Sequence, residues 1–144
     1  MNDKKSHNRY LEILKTRTLV FDGAMGTMIQ KCNLHAHDFG GEALNGANDH
    51  LVITRPDVIE GIYAEYLEAG ADVIETNSFG SNRLKLEEYH LDTVREHNME
   101  AARIARRVAD KYSTPDEPRF VFGSMGPTGM LPSSTDESLS AITC

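Results

Sequence analysis

Tryptophan is absent from these 144 residues, cysteine occurs only twice, and no apolar run approaches the roughly 20 residues needed to cross a bilayer. The last absence argues against a membrane role. Cys32 and Cys144 stand far apart and neither belongs to a CxxC pair, so a disulfide framework and a cysteine finger are both excluded and both thiols are expected to be free. Basic residues are also scarce: 15 Lys and Arg face 22 Asp and Glu, leaving a net charge of −7. That balance cannot neutralise a phosphate backbone, which removes nucleic acid as a partner. No apolar stretch follows the polar start Met1–His7, so a secretory leader is not expected and a cytoplasmic location is. Neither G-x-G-x-x-G nor a P-loop lysine occurs, which argues against dinucleotide and phosphate binding.

What remains is an ordinary globular composition, 40% hydrophobic and 26% charged, long enough for one core but short of the roughly 250 residues of a closed α/β barrel. Tyr10, Leu11 and Leu14, with Ile13 beside them, predict a short helix over 7–15. Thr18–Phe21 reads as a buried strand, followed by a glycine turn, a helical turn or two over 26–31, and a loop rich in Asn, Gly and His over 33–48. Thr54, Pro56 and Asp57 mark a helix start, with Thr54 as N-cap; Val58, Ile59, Ile62, Tyr63, Tyr66 and Leu67 form its apolar stripe and Gly70 its stop. Ala71–Glu75 predicts a second strand, 94–112 a second long helix with Ala101, Ile104, Ala105, Val108 and Ala109 on one face, and Arg119–Phe122 a third strand. Alternation of strand and helix implies parallel strands joined by right-handed crossovers, with Val20, Val73 and Val121 inside the sheet. Three strands cannot close a barrel, and 128–144 carries no strand pattern, so the chain reads as interrupted rather than finished.

Each strand runs into polar or glycine-rich sequence, as a barrel requires where its loops build the active face. Asp22-Gly23-Ala24-Met25-Gly26-Thr27 places a carboxylate beside a turn rich in N–H groups, a combination able to hold both ends of an amino acid. The competing reading is a helix cap with glycines present for backbone geometry. Glu75-Thr76-Asn77 ends the second strand; Glu75 is costly there unless paired, and Asn77 is the better contact because its amide bonds in either sense. Gly123–Gly129 follows the third strand and carries Ser124, with glycines that let backbone approach a ligand. Cys32, His35, His37 and Asp38 are the one cluster of metal-ligand atoms close in sequence, but the spacing matches no zinc pattern. Lys85, Glu87, Glu88, Arg103, Arg106 and Arg107 read as solvated helix faces, and Met25, Met28 and Met125 as packing.

Together, Phe21–Gln30, Val73–Gly80 and Val121–Gly129 closely resemble the start of the homocysteine S-methyltransferase domain of cobalamin-dependent methionine synthases. The stretch Leu44–Ile59 is more similar to those enzymes than to betaine-dependent ones. The resemblance implies the first three βα units of an incomplete (β/α)8 TIM-type barrel, with residues 1–17 a helical lead-in and 18–144 the partial homocysteine-binding domain. It implies homocysteine as substrate and the remaining barrel, cobalamin and folate domains as partners. Zinc, held by three cysteine thiolates, would activate the sulfur, and methylcobalamin would donate the methyl group. The resemblance implies Asp22 for the ammonium and the Gly23 and Ala24 amides for the carboxylate; Glu75, Asn77 and Ser124, read from their places after the strands, complete the expected substrate-binding set. The family's zinc cysteines have no counterpart here, so no metal or catalytic residue is expected, and no turnover by this segment alone. A betaine- or S-methylmethionine-dependent relative, or a non-catalytic amino-acid-binding βα module, is the alternative.

Overall fold

The computed structural model describes residues 3–128; Cys144, Gly129 and the rest of the stretch after Thr128 lie outside them. Two short parallel strands, β1 (Val73–Glu75) and β2 (Phe120–Phe122), pair Val73 with Phe120, Ile74 with Val121 and Glu75 with Phe122. The stretch 18–21 runs along the other side of β1 and bridges it in parallel at Phe21–Val73. Its backbone bonds are few: the Asp72 and Val73 N–H groups both donate to Val20 O at 2.8 and 3.1 Å, and Asp22 N–H donates to Val73 O at 2.9 Å. The expected first strand is therefore an extended edge segment held at one point, and β1 is central.

Side chains alternate across such a sheet, and the register decides which face each meets. Leu19, Val73 and Phe120 cluster on one face, under Tyr10 and Ile13 of helix α1 (Asp3–Leu14). Tyr10 meets the rings of Phe120 at 5.3 Å and Phe122 at 4.9 Å. These aromatic contacts set the rotation of α1, so Leu11 and Leu14, expected on its packed face, are each 43% exposed. The opposite face carries Ile74 and Val121 into the main core. Val20 was expected inside as well but is 55% exposed, because it lies on the edge segment where no described element covers it, and Leu19 is buried in its place.

Main-core packing comes from α4 (Pro56–Glu68) and α6 (Val94–Tyr112), whose stripes are the expected ones: Ile59, Ile62, Tyr63 and Leu67 on α4, Ala101, Ile104, Ala105, Val108 and Ala109 on α6. Alanines at four-residue spacing on α6 let the helices approach closely. Gly70, at φ +101°, ends α4 in a conformation that side chains resist. The start of α4 differs from expectation. The preceding residues already form α3 (Leu51–Thr54), so the Thr54 hydroxyl donates back to His50 O at 3.4 Å instead of capping, and Arg55 occupies the cap position without a side-chain cap bond. Between the site turn and α3 lie α2 (Met25–Lys31) and three 3-10 turns, Ala36–Phe39, Glu42–Leu44 and Asn48–His50. A further short helix, α5 (Arg83–Glu87), is capped by the Asn82 side chain, which accepts from Lys85 N–H at 3.1 Å. Its Lys85 pairs with Glu88, and Arg103 and Arg107 pair with Glu100 and Glu60, which fits solvated helix faces.

At the N-terminal ends of the strands Asp72, with a side chain only 5% exposed, gathers four donors. Arg17 grips it through two nitrogens at 2.9 and 2.8 Å, Val20 N–H donates at 3.0 Å and Arg119 at 3.1 Å. The Arg17 contact holds the carboxyl below its usual range, against the cost of burial. One side chain thus ties the edge segment, β1 and β2 together. Asp72→Ala should cost about 2 kcal/mol, less than the 3–5 of a fully buried pair because Arg17 is 43% exposed. Urea denaturation should rank Asp72→Ala above Arg119→Ala and Arg17→Ala; equal midpoints for the three would contradict this.

Candidate functional site

A cavity of about 510 Å³ opens where the strands end. The edge segment and turn give it Phe21–Ala24, α2 gives Met25, Gly26 and Ile29, the loop before α3 gives Asn48 and Asp49, β1 and its exit give Glu75, Thr76, Asn77 and Phe79, and the exit of β2 gives Ser124. All six residues expected at a substrate site, Asp22, Gly23, Ala24, Glu75, Asn77 and Ser124, therefore line one cavity although they span about a hundred positions.

Asp22 does not cap α2. That helix begins after Ala24 without a side-chain cap bond, while Asp22 Oδ2 accepts Glu75 N–H at 3.0 Å across the sheet. Burial raises its pKa to about 6; the Glu75 charge pushes the same way and the Glu75 N–H opposes both. No described cation pairs with it. Gly23 lies close to Tyr66, since a Cβ there would sit 3.2 Å from its hydroxyl and the ring would have to shift slightly, whereas a Cβ on Gly26 would meet nothing within 4 Å. No described group accepts from the Gly23 or Ala24 N–H.

Glu75 is exposed on the wall, where the Ser124 hydroxyl donates to its Oε2 at 3.4 Å. Asn77 is buried and more constrained than its chemistry alone implies. Its N–H donates to the Tyr63 hydroxyl at 2.7 Å and its Nδ2 to Asn48 O at 2.9 Å. A carbonyl can only accept, so the amide orientation is fixed and Oδ1 is left as an acceptor. Tyr63 is fully buried, and burial, with Asp22 and Glu75 nearby, raises its pKa and keeps the phenol neutral.

Several lining or supporting groups escaped the sequence. Asp49 Oδ1 accepts Gly80 N–H at 2.9 Å and the Ser81 hydroxyl at 3.4 Å, so it fixes the loop after β1; burial raises its pKa. A Cβ on Gly80 would lie 2.6 Å from Asp49 Oδ2, which explains that glycine. The one available signal was a polar Asn48-Asp49 pair just before the apolar run Leu51–Ile53. His97, fully buried on α6, donates from Nδ1 to Thr93 O at 2.8 Å, so its Nε2 accepts from His50 Nδ1, also at 2.8 Å, and both rings have a defined tautomer. That pair fastens the Asn48–His50 turn to α6. Met125, expected to pack, is 93% exposed; Phe79 at the cavity mouth is 61% exposed.

Cys32 is exposed, and Asp38, beside His37, is held by His35 N–H at 2.9 Å and by Arg55, which keep its carboxyl low. Among the described residues no three His, Cys, Asp or Glu side chains converge to hold a metal ion. No described helix is long and apolar enough to cross a membrane.

A family model described as homocysteine S-methyltransferase matches residues 19–143. Over 123 residues the chain is 49% identical to methionine synthase of Mycobacterium tuberculosis and 50% identical to that of Mycobacterium leprae, covering 85% of this chain and 10% of each relative. The chain thus spans about a tenth of the length of these relatives. Crystal structures of the homocysteine methyltransferase MmuM from Escherichia coli, in metallated and oxidized forms, match with TM-scores of 0.66 and 0.67 over 81% of this chain and 40% of theirs. At 20 and 22% identity these show a shared fold.

A carboxyl whose folded pKa is raised destabilises the fold above that pKa, and the cost is relieved as pH falls from about 6 towards the unfolded value near 4. Asp22→Asn should therefore stabilise the protein at pH 8 by about 1–2 kcal/mol after allowance for water at the cavity mouth, and by no more than about 0.5 kcal/mol at pH 4. Denaturation at both pH values checks this; a loss at pH 8 would contradict it.

Proposed function

Because the chain belongs to the homocysteine S-methyltransferase family, we propose that its cavity holds the amino-acid end of homocysteine, in a protein that methylates the sulfur to give methionine. The observation that carries this is the Asp22 carboxylate, half-buried, without a cation among the described residues, and placed beside the Gly23 and Ala24 amides in the same cavity. An ammonium would supply the missing charge for Asp22 and Glu75, and the two amides would receive the ligand carboxylate. Asn77 Oδ1 and the Ser124 hydroxyl add polar contacts from the far wall. Identity of about 50% to methionine synthases supports methylcobalamin as donor over betaine or S-methylmethionine, and supports cobalamin and folate domains as partners.

The fold reading follows the same lines. The chain supplies the first three βα units of a (β/α)8 barrel, with 1–17 as lead-in and 18–144 as the partial barrel domain. Parallel strands with β1 central, and a match covering 40% of the Escherichia coli structures, support it. So do Phe21 and Phe122, 40 and 37% exposed on the α1-facing side, where further strands would cover them. Zinc, which the family implies, does not fit the described residues, because the one described cysteine is exposed and no ligand set converges. The described residues hold the amino-acid end of the ligand, and no step at the sulfur is assigned to them.

In the full-length protein Asp22→Asn should raise the homocysteine Kd about tenfold or more, the scale of a charge-assisted hydrogen bond, by calorimetry. Wild-type affinity should fall as pH drops below about 6, where Asp22 protonates, and the variant should lack that dependence. An unchanged Kd would remove Asp22 from the ligand.

A further inference from the structure

Within the cavity wall, four polar groups close a ring whose direction chemistry dictates. Ser124 N–H donates to Thr76 Oγ1 at 3.0 Å, Thr76 Oγ1 and Ser78 Oγ lie 2.6 Å apart, and Ser78 Oγ donates to Ser124 O at 2.9 Å. A carbonyl only accepts, so the single Ser78 hydroxyl proton goes to Ser124 O. Its oxygen then takes the Thr76 proton, and the Thr76 oxygen takes the Ser124 N–H. Each hydroxyl donates once and accepts once, and the ring runs one way round.

Thr76 and Ser78 are 7 and 6% exposed, so water does not compete for these bonds. Both backbone groups of Ser124 are thereby committed, and its remaining polar atom, Oγ, reaches Glu75 Oε2 at 3.4 Å. Two flanking bonds keep the same loops together: Thr76 N–H donates to Phe122 O and Gly126 N–H to Phe79 O, each at 2.9 Å. Gly126 has no alternative, since a Cβ there would lie 2.6 Å from both the Phe79 ring and its carbonyl oxygen.

We infer that Thr76 and Ser78 are positioning residues for the amino-acid site: their hydroxyls clamp the Ser124 backbone so that its side chain orients the Glu75 carboxylate toward the ligand ammonium. The inference rests on the cavity being that site. Thr76→Val keeps the shape and breaks the ring, Thr76→Ser restores the hydroxyl, and Ser78→Ala breaks the ring at its other bond.

Homocysteine kinetics of the full-length protein test the clamp. Thr76→Val and Ser78→Ala should raise KM about fivefold to tenfold with kcat within about twofold, and Thr76→Ser should stay within about twofold of wild type. Ser124→Ala should weaken binding in the wild-type background and add nothing to Thr76→Val, because the clamp and the side chain act as one unit. Thermal melts of each variant establish that the folded protein is assayed; if Thr76→Val does not fold, Ser78→Ala carries the test. A wild-type KM in the folded ring variants, or additive effects of Ser124→Ala and Thr76→Val, overturns the clamp. Should Asp22→Asn weaken binding while the ring variants do not, the clamp alone fails; should Asp22→Asn leave homocysteine affinity unchanged, the site assignment fails with it.

Discussion

The bond from Glu75 N–H to the Asp22 carboxylate is the constraint on which the site depends. It joins the turn after the edge segment to the end of β1, the central strand, so the first cavity wall cannot drift from the second. It also leaves the carboxylate half-buried with no cation among the described residues. A backbone N–H offsets part of the desolvation, and the remainder shows as a pKa near 6. On the proposed reading, a ligand ammonium would relieve this cost.

The opposite end of the same strands makes the contrast plain. Asp72 accepts from Arg17, Arg119 and Val20 N–H, is held below its usual pKa range, and secures the sheet. Asp22 has the same side chain but only backbone donors among the described residues, and its pKa moves the other way. The two carboxylates differ in whether a described side chain supplies the counter-charge, and that difference is what favours Asp22 as the proposed binding group. The rest of the wall follows from fixed backbone: Tyr63 and Asn48 set Asn77, Asp49 sets Gly80 and Ser81, and the hydroxyl ring sets Ser124. These polar side chains hold the loops that shape the cavity.

Much of this was legible in the sequence for local reasons. The helix α6 was bounded correctly at Val94 and Tyr112, and the stripe from Ile59 to Leu67 was read from its period. The three strand exits were recognisable because polar and glycine-rich residues follow short apolar runs, and the structure brings those exits to one cavity. What escaped depends on packing between segments distant in sequence. Val20 and Leu19 exchange places because one residue of register decides the face. Thr54 loses its cap role to the helix already running before it, and Tyr63 and His97 sit on apolar faces where periodicity hides a hydrogen-bonding duty. Asp49 carried only the weak signal of a polar pair before an apolar run, and its partners Gly80 and Ser81 lie about thirty residues on.

The central claim is that Asp22 awaits a ligand ammonium, and proton release on ligand binding tests it most directly. L-methionine, the proposed product, carries the same amino-acid end without a thiol proton of its own. Calorimetry of its binding to the full-length protein in buffers of different ionisation enthalpy should show about half a proton released at pH 6, as the ammonium drives Asp22 fully ionised. The release should vanish at pH 8 and in Asp22→Asn. Binding at pH 6 with no proton released, or with proton uptake, would contradict the account.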